Sequence, residues 1–148
     1  MPDNDLTMSE EQERDEMWRE LYHNHPIDVE IKFSDMDIGE KLRNQPYIKL
    51  TYDDLYYKEK SRYEKIQEVV EKITGIRYDY YRFNFDKELT KAEIEKYYLP
   101  KDPTVLAAKK KLRMQQWRME FYKMCADSIG NQGWRMREFL ESLKAGLL

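Results

Sequence analysis

The Asp102–Pro103 pair, with the apolar pattern behind it, constrains this chain more than any other feature. Aspartate caps a helix, and proline suits the first turn, where its missing N–H has no partner to lose. The pair predicts a long helix running to about Ile129, with Gly130 as its stop. Along it Val105, Leu106, Leu112, Trp117, Met119, Phe121, Tyr122 and Met124 cover more than one face. A helix apolar on several sides has to be enclosed by neighbours. Those neighbours come from only 148 residues, of which 41% are hydrophobic and 37% charged. That balance implies a thin core, of the kind that small proteins often complete by oligomerisation.

Other segments also read as helices. Residues 1–8 read as disordered. Ser9 with Gln12 has the form of a capping box, and Met17, Trp18, Leu21 and Tyr22 follow at helical spacing, up to Pro26. A second helix is expected from Thr51, capped with Asp54, along the stripe Leu55, Tyr63, Ile66, Val69, Val70 and Ile73, and ended by Gly75. Thr90 with Glu93 marks a short helix that closes before Pro100. A last helix from about Trp134 carries Met136, Phe139, Leu140, Leu143 and Leu147 at the three-and-four spacing of a seam. One segment departs from this pattern. Ile27, Val29, Ile31 and Phe33 alternate with charged residues, which predicts a short β strand over 27–33. Residues 34–50 give weak signals, punctuated by Gly39 and Pro46. The fold class is therefore mainly α, with one possible short β segment.

Charge divides the chain. Residues 1–40 hold 13 acids and 3 bases, whereas residues 41–148 hold 23 bases and 16 acids. We therefore expect an acidic N-terminal arm over 1–40 and a basic helical body over 41–148, the body suited to a polyanion. The acidic N-terminus does not have the pattern of a signal or transit peptide. No apolar run approaches the roughly 20 residues of a membrane span. Cys125 is the only cysteine, which excludes an internal disulfide and points to a reducing, cytoplasmic setting.

Enzymatic chemistry has little to stand on. The five glycines are scattered, and no phosphate-binding glycine loop occurs. His23 and His25 precede Pro26 without a local cluster of further ligands, so they read as helix-end residues rather than a metal site. Cys125, between Met124 and Ala126, reads as a buried thiol with no positioned base. Asp53, Asp54, Glu93 and Glu95 are explained by caps and solvated faces. No metal or cofactor is expected, and the chain is not expected to be an enzyme.

What remains is the run Lys72 to Phe85, KITGIRYDYYRFNF. It interleaves Lys72, Arg77 and Arg82 with Tyr78, Tyr80, Tyr81, Phe83 and Phe85. Cations hold phosphates and flat rings stack on bases, the combination that sequence-tolerant binding of single-stranded nucleic acid requires. Lys58, Lys60 and Arg62 extend the basic character upstream. A second basic stretch begins with Lys109, Lys110 and Lys111 and continues through Arg113, Arg118, Lys123, Arg135 and Arg137. The competing reading is that the tyrosines pack the edge of a core and the cations only solubilise helix faces.

From Leu55 onward the chain resembles the UvsY-type recombination mediators of T-even-type phages. The resemblance rests on an amphipathic helix leading into Arg77-Tyr78-Asp79-Tyr80-Tyr81, and then on a helix with Trp117 and Cys125. After these comes Ser128-Ile129-Gly130-Asn131-Gln132-Gly133-Trp134, before the terminal apolar helix. The family motif is arginine, an apolar residue, aspartate and two tyrosines, with a lysine two before the arginine. Tyr78 replaces the usual leucine, and Gly75 replaces the lysine.

The resemblance implies a non-enzymatic protein that binds single-stranded DNA. It implies loading of a UvsX-type, RecA-like recombinase in place of single-strand-DNA-binding protein, in recombination, repair and replication of a phage in its host's cytoplasm. It also implies a homo-oligomeric ring of about six or seven copies. Lys58, Lys60, Arg62, Lys72, Arg77, Tyr80, Tyr81 and Arg82 are the DNA-binding candidates. Met136, Phe139, Leu140 and Leu143 are the oligomerisation candidates. The alternative is a phage assembly or scaffolding factor that oligomerises through the same terminal helix.

Overall fold

The structure, a computed structural model, describes residues 2–146, with side chains from Ser9 onward. Leu147, the end of the expected terminal stripe, lies outside the described residues. The elements in chain order are α1 (Pro2–Asn24), a single turn α2 (Ile27–Glu30) and the long α3 (Ile38–Asp79), which passes into a π-helical turn, Tyr80–Asn84. A further turn α4 (Lys91–Glu93) leads through a π turn (Ile94–Tyr98) and a 3-10 turn (Leu99–Lys101) into α5 (Pro103–Lys144). Most of the described residues are helical and none is in a strand, so the mainly α fold holds.

Several boundaries move. Helix α1 starts at Pro2, well before Ser9, and takes in most of the segment expected to lack structure. The alternation at 27–33 makes no strand. The Pro26 carbonyl accepts from the Val29 and Glu30 amides, and Ile31 donates to Ile27 across a helical turn. Ile27 is buried and Ile31 packs on the same core, four residues on, while Val29 is 58% exposed. The four-residue spacing inside the alternating pattern decides the local structure.

Residues 38–50, which gave weak signals, are continuous helix through Pro46. Ile38, Gln45 and Tyr52 are buried along it, and Ile48 and Leu55 pack on the core. The seam was disguised by its polar member. Gln45 is buried because its side-chain amide donates to the Ile129 carbonyl at 3.0 Å. Neither Gly75, Gly130 nor Gly133 ends a helix. Gly75 lies within α3, and α5 runs through both of the others. At Gly133 the reason for glycine is contact. A Cβ there would stand 2.9 Å from Gln45 Nε2.

The chain divides into two compact units, Met1–Glu59 with Trp117–Leu148, and Lys60–Gln116. In the first, Ile27, Tyr52, Phe121, Tyr122, Cys125, Ala126 and Ile129 are the buried core, against which Trp18 and Leu21 pack. The Trp18 indole donates to the Trp117 carbonyl at 3.0 Å. The acidic residues 1–40 thus contribute apolar side chains to a core shared with α5, and residue 40 is no structural boundary. The His25 ring lies 5.8 Å from that of Tyr52 and 5.4 Å from that of Tyr122, as a packing residue. In the second unit Tyr81, Leu89, Ile94, Leu99 and Val105 are buried, with Ile73, Tyr78, Phe85 and Tyr98 packed around them.

Candidate nucleic-acid interface

The aromatic run closes the second unit. Past Asp79 the backbone widens into the π turn Tyr80–Asn84, which takes one more residue per hydrogen-bonded turn than an α-helix. Tyr81 is buried and Phe85 half-buried, both against Tyr98, with ring centroids 5.4 and 5.5 Å away. Tyr80, edge-on to both Tyr81 and Phe85, stays 37% exposed, and Phe83 75%. π turns of this kind recur at functional sites because they re-aim side chains.

Asp102 organises the site. Its side chain is buried, and both oxygens are fully used. Oδ1 accepts from the Thr104 and Val105 amides at 2.9 and 3.0 Å, the N-cap expected of Asp102. Oδ2 accepts from Arg77 Nε at 2.9 Å and from the Tyr81 hydroxyl at 2.6 Å. Burial by itself would raise the Asp102 carboxyl pKa. The Tyr81 hydroxyl, the Val105 amide and the Arg77 guanidinium outweigh it and hold the group below the ordinary carboxylate range. The same hydrogen bond to Asp102, with burial second, raises the Tyr81 hydroxyl. Arg77 is raised above its usual value, chiefly by its bond to Asp102.

The Arg77 guanidinium carbon stands 4.4 Å from the centre of the Tyr80 ring. A cation at that distance is attracted to the π face and holds the ring in place. Arg77 therefore carries two duties that its sequence position did not reveal. It neutralises a buried carboxylate and it backs an exposed ring. Nearby, Arg82 is exposed, and its Nη1 donates to the Leu89 carbonyl at 2.8 Å, bracing the loop after the π turn.

The arrangement so far is a helical chain whose second unit presents a braced, half-exposed tyrosine beside exposed cations. Two crystal structures of UvsY, the recombination mediator protein of bacteriophage T4, are similar to it. One, in lattice type IV, has a TM-score of 0.74 at 15% identity and covers 88% of this chain and 98% of that one. The other, in lattice type I, has a TM-score of 0.70 at 14% identity and covers 84% and 98%. The chain has a UvsY-type fold. No family model matches the sequence, and no curated protein matches it either.

Within this UvsY-type fold the expected site residues separate. Lys60, Arg62, Lys72, Arg77, Tyr80, Tyr81 and Arg82 fall in the second unit, and Lys58 in the first, where it pairs with Asp54 at 3.1 Å. Lys72 and Arg82 are exposed, and so are Lys109, Lys110 and Lys111. Tyr81 is turned inward, so in this conformation its ring offers no face for a base. The outward ring next in line is Phe83. Tyr97, with the Lys96 ammonium 5.4 Å from its ring centre, is another exposed cation–aromatic pair, one that no run of like residues marks in the sequence.

The terminal stripe separates in the same way. Met136 is fully buried within the first unit. Phe139 packs edge-on to Phe33, 5.7 Å between ring centres, and Leu140 is half-buried. Leu143 is 37% exposed and Trp134 66%. Cys125 has no exposed surface, and burial pushes its thiol up to about 12. Among the described residues no group of three histidine, cysteine, aspartate or glutamate side chains could hold a metal ion. Nor is any helix among them long and apolar enough to cross a membrane.

Proposed function

We propose that this protein is a recombination mediator. It binds single-stranded DNA and helps a RecA-like recombinase displace single-strand-DNA-binding protein during phage recombination and repair. The observation that carries the reading is the shared fold, which extends over 98% of the T4 mediator's length. The surface of the second unit supports it. Lys72 and Arg82 supply phosphate contacts, and Tyr80, backed by Arg77, supplies a stacking face worth about 1–3 kcal/mol per base. Phe83 extends that face. Tyr81 acts from inside, holding Asp102 and through it Arg77. The protein works without chemistry of its own and assembles with itself in the host cytoplasm. On the terminal stretch of α5, Leu143 and Trp134 are outward apolar residues available for that assembly.

The test is a fluorescence-anisotropy titration of a labelled single-stranded oligonucleotide over several salt concentrations, with duplex as competitor. Each phosphate contact contributes a log–log salt slope of about -0.7. Binding that duplex does not compete away, and that weakens steeply with salt, is the expected result. Absence of binding at low salt refutes the reading and favours an assembly factor. Lys72→Ala with Arg82→Ala is the informative variant, because Arg77→Ala also strips a buried carboxylate of its counter-charge.

A further inference from the structure

The second unit contains a groove that the DNA-binding reading does not use. It is an open trough of about 520 Å³ between residues 66–73 of α3 and residues 103–111 of α5. Ile66, Val69 and Ile73 form one wall, and Pro103, Ala107 and Lys111 the other. Val69 is 50% exposed there. The floor is aliphatic and carries no ring on which a base could stack. Each wall is about two helical turns long, at 1.5 Å per residue. That length matches anchors at positions i, i+4 and i+7 of a docked helix.

Charge selects the occupant. Lys65 and Lys72 stand one turn either side of Val69 on the same face of α3, and both are exposed. Glu64, Glu68 and Glu71 lie on the opposite side of that helix from Ile66, Val70 and Ile73. On the other wall, residues 103–116 include four bases and no acid. An apolar trough with cationic rims repels a second copy of itself and matches an apolar stripe flanked by carboxylates. We propose that this groove receives a short amphipathic helix from an acidic protein partner. Its two or three aliphatic side chains enter between α3 and α5, and its carboxylates meet Lys65 and Lys111.

The experiment uses the full chain with methyl-labelled isoleucine and valine. The probe is a synthetic helical peptide with leucines at i, i+4 and i+7 and flanking glutamates. Its control carries lysines in place of the glutamates. The acidic peptide should shift the Ile66, Val69 and Ile73 methyl signals, and the basic one should not. Lys111→Glu should weaken the acidic peptide about tenfold. Ala107→Lys adds a side chain in the groove while keeping the rim positive and the helix intact, so it should abolish peptide binding and leave oligonucleotide binding undiminished.

Equal binding of both peptides, or no shift at these methyls, overturns the proposal. So does displacement of the peptide by single-stranded oligonucleotide, which would make the groove part of the strand path. Loss of self-assembly in Ala107→Lys, read by light scattering, would give the groove to a second copy instead. The mediator reading has its own oligonucleotide assay, so the two fail separately.

Discussion

Removing Asp102 tests the site more sharply than removing any cation. The carboxylate caps α5 through two amides and binds Arg77 and Tyr81 through its other oxygen. In Asp102→Ala the lost cap costs about 1 kcal/mol. The Tyr81 hydroxyl, now buried without an acceptor, costs about 1 kcal/mol more. Breaking a fully buried ion pair costs about 3–5 kcal/mol. Arg77 is 29% exposed and recovers some hydration, so about 2 kcal/mol is the fitting share here. The expected total is about 4 kcal/mol, or a fall in Tm of roughly 12 °C for a chain of this size. Asp102→Asn keeps the capping oxygen and the volume but loses the charge, and should cost about half as much.

The assay should follow circular dichroism at 222 nm and the tyrosine near-ultraviolet signal. Trp18, Trp117 and Trp134 all belong to the first unit and do not report on this site directly. The folded-state pKa of Asp102 is depressed, so its contribution is present above the ordinary carboxylate value of 3.8 and is lost as pH falls through the lowered one. The gap between wild type and Asp102→Asn should therefore close on acidification. Wild-type-like stability of Asp102→Ala at neutral pH, within about 0.5 kcal/mol, would refute the reasoning.

Other outcomes follow from the same structure. Gly75→Ala, with nothing within 4 Å of the new Cβ, should stabilise by about 1 kcal/mol in urea denaturation. Gly133→Ala gains the same helix propensity but displaces the buried Gln45 amide from the Ile129 carbonyl, so it should lose about 1 kcal/mol net. In an alkaline spectrophotometric titration Tyr52 and Tyr81 should be among the last of the 12 tyrosines to ionise. Burial, then the hydrogen bond to Glu30, raises Tyr52, and the bond to Asp102, then burial, raises Tyr81. Their contribution to stability is complete below pH 10 and is lost as pH rises through the raised values. Tyr80→Ala should weaken single-strand affinity about tenfold or more at an unchanged salt slope, while Lys72→Ala with Arg82→Ala should flatten the slope by about 1.4.

Local chemistry was legible in the sequence at several points, although the Ser9–Gln12 and Thr51–Asp54 pairs, expected to start helices, lie inside α1 and α3. The Asp102 cap, the Thr90 side chain accepting from the Glu93 amide, and the end of α1 before Pro26 all formed as their sequence patterns indicated. Misreadings arose where a distant residue decides. Gly130 reads as a stop, yet α5 runs on through it, and at Gly133 the Gln45 side chain, far off in sequence, rests on the helix. Residues 34–50 give weak signals because Gln45, on the buried side of α3, is held there by the Ile129 carbonyl. Ile27 to Phe33 reads as a strand because charged residues alternate by chance with a four-residue contact.

The site followed the same rule. The run of cations and rings does not reveal which ring faces out. Arg77 and Tyr81 are separated from Asp102 by 25 and 21 residues, and nothing local signals that union. Lys96 with Tyr97 carries little signal in the sequence, because a single pair stands out less than a run.

The burial of Cys125 has a practical consequence. The chain's one thiol has no exposed surface and a pKa pushed up to about 12, so at neutral pH it is almost entirely protonated and screened from reagents. A maleimide dye added to folded protein will therefore report only on cysteines placed by design. Ser61, exposed on α3, is one position for such a label, and the native thiol can stay where it is.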